Sequence, residues 1–360
     1  MRILNLMQCT NLGGMEQASL RLMSALMRRG HRCQVLSLNP IGRLGPLLAE
    51  AGIDAEGIEY RGKGGWRSII DLRRRLRAIE ADAMIMTGHN LLASLALVDF
   101  CRGHRILAIH HYHRGVKPNW QWRLIYQVAR RRFDAITFPS EFVRREAEAI
   151  TPEIRAIAHT VRNPLTVPEL ADTSARHSAR ARFALARDVK LVGNAGRLIP
   201  GKRFDVFLHT AALVAQRRDD VQFVIAGDGA ERERLESLAS ELGLSGRLHW
   251  LGWQSDLSDF YRAIDVLLFN TDWDAFPTTP LEAMSFGIPV IASAVHSGLS
   301  EVITDPRYGF LVEAHDIRQL AGAVLSALTA DCDEAGIHGR ARVSEMMDPD
   351  RIALRIETII

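Results

Sequence analysis

The chain has 360 residues, 47% of them apolar and 24% charged, with a formal net charge of +3; this is ordinary for a soluble globular protein of about two domains. Its four cysteines (Cys9, Cys33, Cys101, Cys332) are scattered without a Cys-x-x-Cys pair, which argues against a disulfide framework and a structural zinc site. No apolar run approaches the roughly 20 residues that span a bilayer, and the first strand starts without a preceding signal peptide, so a cytoplasmic location is expected.

The net charge hides an asymmetry. Residues 1–165 carry 25 Lys+Arg against 14 Asp+Glu, and the remainder 20 against 28. A basic first half points to an anionic partner on that side.

In chain order, a strand at 3–7 leads into Asn11-Leu-Gly13-Gly14-Met-Glu16 and an amphipathic helix over 15–29 that stops at Gly30. Strand, glycine loop and helix N-terminus together suit a phosphate, because glycines allow close backbone approach. The spacing is not Gly-x-Gly-x-x-Gly, and the next strand, 34–38, ends without the acid that would hold an NAD ribose. A dinucleotide dehydrogenase is therefore disfavoured. Strands and helices then alternate: a helix over 67–81 rich in arginine, a strand at 83–87, a buried helix over 91–100 and a strand at 105–109. At the end of that strand stand His110, His111 and His113, where an open α/β sheet gathers its ligands. No nearby acid or cysteine completes a metal site.

Residues 113–123 interleave Arg114, Lys117 and Arg123 with Trp120 and Trp122, and Arg130–Arg132 follow on the next helix. Such a segment suits an anionic headgroup interface; no nucleic-acid motif accompanies it. A strand at 133–138, a helix over 141–150 opened by Pro139-Ser140, and Val161-Arg-Asn163-Pro164 close the first half. The tract 166–187, rich in Arg, Ala and Pro, reads as a linker.

The second half opens on Leu191-Val-Gly-Asn-Ala-Gly196-Arg197-Leu-Ile-Pro-Gly201-Lys202-Arg203 and a helix over 204–216. Gly196 to Lys202 formally fits Gly-x4-Gly-Lys, but Arg203 stands where a P-loop needs the hydroxyl that binds Mg²⁺. The strand 221–226 ends in Gly227-Asp-Gly229, and the strand before Trp253 ends beside that indole. An apolar run over 263–269 then precedes Asp274-Ala-Phe276-Pro277-Thr278-Thr279-Pro-Leu-Glu282-Ala-Met-Ser-Phe-Gly-Ile-Pro289. Two acids eight positions apart flank a loop and a helix N-terminus, whose first N–H groups have no internal partner. This suits a nucleotide sugar: amides and cations for the diphosphate, acids for hydroxyls.

Asp274 to Pro289, together with Gly-Arg197-Leu…Lys202 and Gly298-Leu-Ser-Glu301, resembles the signature of retaining glycosyltransferases of family 4. That family places Glu where this chain has Asp274, one methylene shorter, and Pro-Ser where it has Asn270-Thr271. The likeness covers nearly the whole chain and is strongest from 190 to 312. It implies an α/β chain of the GT-B fold, two facing Rossmann-like domains: an acceptor domain over 1–165, the linker 166–187, a nucleotide-sugar donor domain over 188–345, and a last helix, 346–360, crossing back to the first domain. It further implies a metal-independent hexosyltransferase using a UDP- or GDP-sugar, without cofactor. The acceptor expected from the basic half is an anionic or lipid-linked glycan of cell-envelope polysaccharide or lipopolysaccharide, met at the cytoplasmic face of the membrane. In the roles the resemblance implies, Arg197 and Lys202 clamp the diphosphate with the amides of Phe276 to Thr279. Glu282 holds the ribose and Asp274 a sugar hydroxyl. His110 lines the sugar pocket, Gly13 and Gly14 lie near the donor phosphates and the acceptor, and Gly229 and Trp253 lie near the nucleobase. A sugar-nucleotide epimerase of the same fold, a P-loop nucleotidase and a non-catalytic nucleotide-sugar-binding protein are the alternatives. Oligomeric state is not legible.

Overall fold

The computed structural model describes residues 1–58, 66–90, 93–94, 105–108, 117–295, 297–329 and 333–360. The chain forms two units, Met1–Leu165 with Met347–Ile360, and Thr166–Met346.

In the first unit the strands β1 (Arg2–Met7), β2 (Arg32–Ser37), β3 (Asp54–Gly57), β4 (Ala83–Thr87), β5 (Arg105–Ala108), β6 (Ala135–Phe138) and β7 (Ala158–Thr160) form one parallel sheet in the order β3-β2-β1-β4-β5-β6-β7. Helices cover both faces, so the central strands read as near-continuous apolar runs rather than alternating ones: β1 is buried at every position after Arg2, with Asn5 the one polar residue among them. The strand order reverses between β1 and β4, and the β1 turn therefore lies at a switch point, where open α/β sheets bind ligands. The helix Pro349–Glu357 returns to this unit. Asp348 caps it through Arg351 N at 2.8 Å, and Ile352, Ala353 and Ile356 join the core with Leu22, Met23 and Leu26 of the helix Gly14–Arg28. Glu357 accepts from Arg29 Nε and Nη2 at 2.7 Å each and lies 2.8 Å from His31 Nε2.

The second unit repeats the plan with β8 (Lys190–Ala195), β9 (Val221–Ala226), β10 (Leu248–Gly252), β11 (Val266–Phe269), β12 (Val290–Ala294) and β13 (Phe310–Glu313), ordered β10-β9-β8-β11-β12-β13. Here the reversal falls between β8 and β11. Right-handed crossovers put the helices Phe204–Ala215 and Arg232–Glu241 on one face and the helices Ser258–Ala263 and Thr278–Ser285 on the other. Gly287 ends the last of these in the left-handed region (φ 76°). Ile288 N reaches back to Ala283 O at 3.0 Å and Gly287 N to Met284 O at 2.9 Å, a Schellman turn that feeds the chain into β12.

The stretch 166–187 differs from the linker expected of it. It contains the helix Thr173–Arg182, capped by Asp172, and belongs to the second unit. Arg180 is fully buried and donates to Asp265 Oδ2 at 2.8 Å, Ala263 O at 3.0 Å and Val189 O at 2.9 Å. An arginine-rich tract reads as solvated until its counter-charge, supplied by Asp265 much later in the chain, is known.

Candidate active site at the second switch point

The loops after β8 and β11 meet at the reversal of the second sheet, and they are fastened to each other. Asp272 N donates to Gly201 O at 2.9 Å, and the Thr271 hydroxyl lies 3.0 Å from both Gly201 O and Trp273 O. The loop after β9 presses in from the other side. A Cβ on Gly227 would stand 1.9 Å from Gly196 O, and one on Gly229 2.5 Å from Leu198 O, so backbone contact at both positions leaves no room for a side chain. Leu198 N donates to Asp228 O at 2.9 Å.

This tying decides what the first loop can be. Ile199 N, Lys202 N and Arg203 N donate to Arg197 O, Ile199 O and Pro200 O. These amides close the loop on itself, in a 3₁₀ turn over Pro200–Lys202 that ends with Arg203 left-handed (φ 47°). They do not face outward as a P-loop's must. Arg203 is bonded to Asp205 and Asp272. Asp205 first and Asp272 next hold its guanidinium above the ordinary arginine range, so it braces the loop.

Lys202 points to the second loop. Its Nζ lies 2.6 Å from Asp274 Oδ2, with side-chain exposures of 24% and 20%, and 5.6 Å from the centre of the Phe269 ring. Asp274 Oδ1 accepts from Phe276 N at 3.2 Å, an Asx turn that shapes the approach to the helix. Asp274 also bridges to Ser297, and Gly298 N donates to Ala275 O at 3.2 Å. The expected row of four amides over 276–279 is thereby corrected. Pro277 has no N–H, Phe276 N is engaged by Asp274, and Pro280 follows as a second residue without a donor. The backbone donors of this helix start are Thr278 and Thr279, whose Thr279 hydroxyl also reaches Ala195 O at 3.3 Å. Glu282, one turn on, accepts from the Tyr261 hydroxyl at 2.9 Å.

The geometry thus pairs Lys202 with Asp274 just ahead of the helix that starts with Thr278 and Thr279, with Glu282 on the same helix. Arg197 is exposed on the β8 loop and Gly229 on the β9 loop, and Trp253, 51% exposed, follows β10. His110, like His111 and His113, lies outside the described residues. In the first unit Gly13 is the N-cap of the helix Gly14–Arg28. Glu16, 7% exposed, turns its carboxylate into that loop, where a Cβ on Gly13 would meet Oε2 at 2.4 Å and the Cys9 thiol donates to Oε1 at 3.2 Å. That negative charge at the helix start disfavours a phosphate at Gly13-Gly14. The sequence assigns no role to Tyr261, Thr271 or Glu16. Glu16 follows the two glycines at the third helical position, the place from which an acid turns back onto a helix start.

Comparison with known proteins agrees with this architecture. The model for "Glycosyltransferase Family 4" matches residues 12–162, and that for "Glycosyl transferases group 1" matches residues 176–342. The structure of HepE from Anabaena in complex with UDP superposes with a TM-score of 0.85 over 99% of each chain at 19% identity. WaaG, a glycosyltransferase involved in lipopolysaccharide biosynthesis, superposes with 0.73 over 99% of each chain at 16% identity. Among curated sequences, D-inositol 3-phosphate glycosyltransferase of Mycolicibacterium smegmatis is 36% identical over 156 residues, 42% of this chain and 36% of that protein. The lipopolysaccharide core biosynthesis glycosyltransferase LpsE of Rhizobium meliloti is 31% identical over 145 residues, 40% of this chain and 41% of that protein. The match therefore spans well under half the length of these curated relatives.

Two Rossmann-like α/β units, each with its reversal in strand order, define the GT-B fold class. Within it, the chain belongs to glycosyltransferase family 4.

Proposed function

We propose that the protein is a retaining glycosyltransferase that moves a hexose from a nucleotide diphosphate, UDP or GDP, to a hydroxyl of an anionic or lipid-linked glycan. The observation that carries this reading is the Lys202–Asp274 pair placed just before the N-terminus of the helix Thr278–Ser285, at the switch point of the second sheet. HepE, similar in fold, is known in complex with UDP-glucose, which supports a nucleotide sugar as donor.

Breaking the anomeric C–O bond leaves charge on the diphosphate and an oxocarbenium-like sugar, and catalysis must favour that separated charge over the ground state. Lys202 and Arg197 with the two threonine amides supply fixed positive potential without a metal; one preorganised donor of this kind is worth about 3–4 kcal/mol. Asp274 accepts from a sugar hydroxyl, Glu282 from the ribose, and His110 shapes the sugar pocket. The acceptor oxygen bonds to the anomeric carbon, the carbon–phosphate oxygen bond breaks, and the acceptor proton passes to the leaving diphosphate. An epimerase of the same fold would convert the donor with no acceptor present.

The test is thermal shift against UDP-, GDP- and ADP-sugars followed by product analysis of the donor that raises the melting point. Stabilisation by none of the three removes the reading.

A peripheral membrane contact of the first unit is favoured by the helix Asn119–Arg132. It buries Trp122, Tyr126 and Ala129 yet leaves Trp120 65% and Leu124 47% exposed, one turn apart, beside exposed Arg123, Arg130 and Arg131. Apolar anchors among cations suit an anionic headgroup layer. No described helix is long and apolar enough to cross a membrane. Flotation with anionic vesicles that weakens with salt supports this contact, and no flotation at low salt excludes it.

A further inference from the structure

We propose that Tyr261 is a positioning residue that orients the Glu282 carboxylate toward the donor's ribose, making the second unit selective for ribonucleotides over their 2′-deoxy counterparts. The inference rests on the assignment of Glu282 to the ribose.

A glutamate side chain turns about three bonds, and left to itself on a helix surface it samples many positions. Tyr261 removes that freedom. Its ring is 2% exposed and is held between Phe260, 5.4 Å away at 65°, and Phe286, 5.2 Å away at 36°. Arg262 stacks on the far partner, Phe286, at 5.7 Å. The phenol oxygen reaches Glu282 Oε2 at 2.9 Å.

The two residues come from the helices that precede and follow β11, on one face of the sheet. The carboxylate is therefore fixed at one end by the backbone of Thr278–Ser285 and at the other by a ring that packing does not allow to move. A hydrogen bond to an ionised acceptor is directional and shorter than a neutral one. A carboxylate so placed can only accept, and a ribose offers it two neighbouring hydroxyl donors where a 2′-deoxyribose offers one. A site built to bond a hydroxyl rejects the analogue that lacks it, because its own polar group is then left unmatched. That discrimination requires the carboxylate to be held in place; a mobile one would turn to water or to the remaining hydroxyl.

The experiment measures dissociation constants of UDP, GDP and ADP and of their 2′-deoxy forms by calorimetry on the full chain, wild type, Tyr261→Phe and Glu282→Gln. Phenylalanine keeps the ring packing, so melting checks the fold independently. For the best-bound base, wild type is expected to favour the ribonucleotide by at least about tenfold, one charged hydrogen bond's worth. Glu282→Gln should bring that ratio close to one, and Tyr261→Phe to below about threefold, with 2′-deoxy binding unchanged. A folded Tyr261→Phe that keeps the wild-type ratio while Glu282→Gln loses it would reduce Tyr261 to a packing residue and overturn the proposal. A ratio unaffected by Glu282→Gln would instead remove the ribose assignment, and no binding of any of the three diphosphates would remove the donor site itself.

Discussion

Asp274 and Lys202 make opposite demands on the donor, and the variant Asp274→Asn separates them. Lys202 Nζ rests 2.6 Å from Asp274 Oδ2, so a diphosphate that needs the ammonium meets a carboxylate already using it. At an effective dielectric of about 20, a negative charge about 5 Å from a phosphate charge costs about 3 kcal/mol. With the pair a fifth to a quarter exposed, solvent screening brings this to about 1.5 kcal/mol, a tenfold difference in binding. Asparagine keeps an oxygen for Phe276 N, so the turn into the helix survives while the charge goes. Asp274→Asn should therefore bind the free nucleoside diphosphate about tenfold more tightly, read by calorimetry. It should also turn over the nucleotide sugar about 100-fold more slowly, since the sugar hydroxyl loses its charged acceptor. Asp274→Glu, which restores the residue usual in the family, cannot close the same short turn onto Phe276 N and should lose activity severalfold despite its charge. Nucleoside diphosphate binding that weakens in Asp274→Asn would refute the competition for Lys202.

Lys202→Ala should lower kcat at least about 100-fold in a protein that stays folded by circular dichroism; turnover near wild type would release Lys202 from the diphosphate. Asp265→Ala leaves Arg180, fully buried, without its counter-charge and should cost about 3–5 kcal/mol in urea unfolding, a loss below about 1 kcal/mol contradicting the role given to this pair. The hydrogen bond from Arg29 holds the Glu357 carboxyl at about 2, against an ordinary value of 4.5, and His31 adds to it. The unfolded chain binds the extra proton between those values, so this contribution is complete above pH 4.5 and disappears as pH falls toward 2. Glu357→Gln should melt below wild type at pH 7, with the gap closing over that window; a gap independent of pH would assign the loss to packing of the helix Pro349–Glu357.

What sequence made legible follows from how parallel sheets are buried. A strand covered on both faces must be apolar along nearly all of its length, so Ile3–Met7, interrupted by Asn5, Val221–Ala226, interrupted by Gln222, and Val266–Phe269 announce themselves, and short connections between them leave few topologies. Chemistry-bearing residues at strand ends are legible for the same reason. Asp274, Arg197 and Lys202 could be placed on the loops after β8 and β11 without coordinates, and Glu282 on the helix that follows, from the strand pattern and from the likeness to the family signature. Pairing across loops was not legible. Asp265 turns the Arg/Ala-rich stretch 173–182 from an apparent linker into a packed helix. Lys202 and Asp274 were both singled out, yet nothing in either segment says that they neutralise each other. The amide row is a different case, for Pro277 excludes one of its four members on covalent grounds alone, and Pro280 ends it. The residues that remain argue for a division of labour. Prolines remove donors that would compete, the Asx turn takes up Phe276 N, and Thr278 and Thr279 are left as the backbone donors of the helix start. Under the proposed function, a helix start stripped to two donors beside one lysine would meet the charge of a leaving diphosphate at one end rather than spread it along a loop.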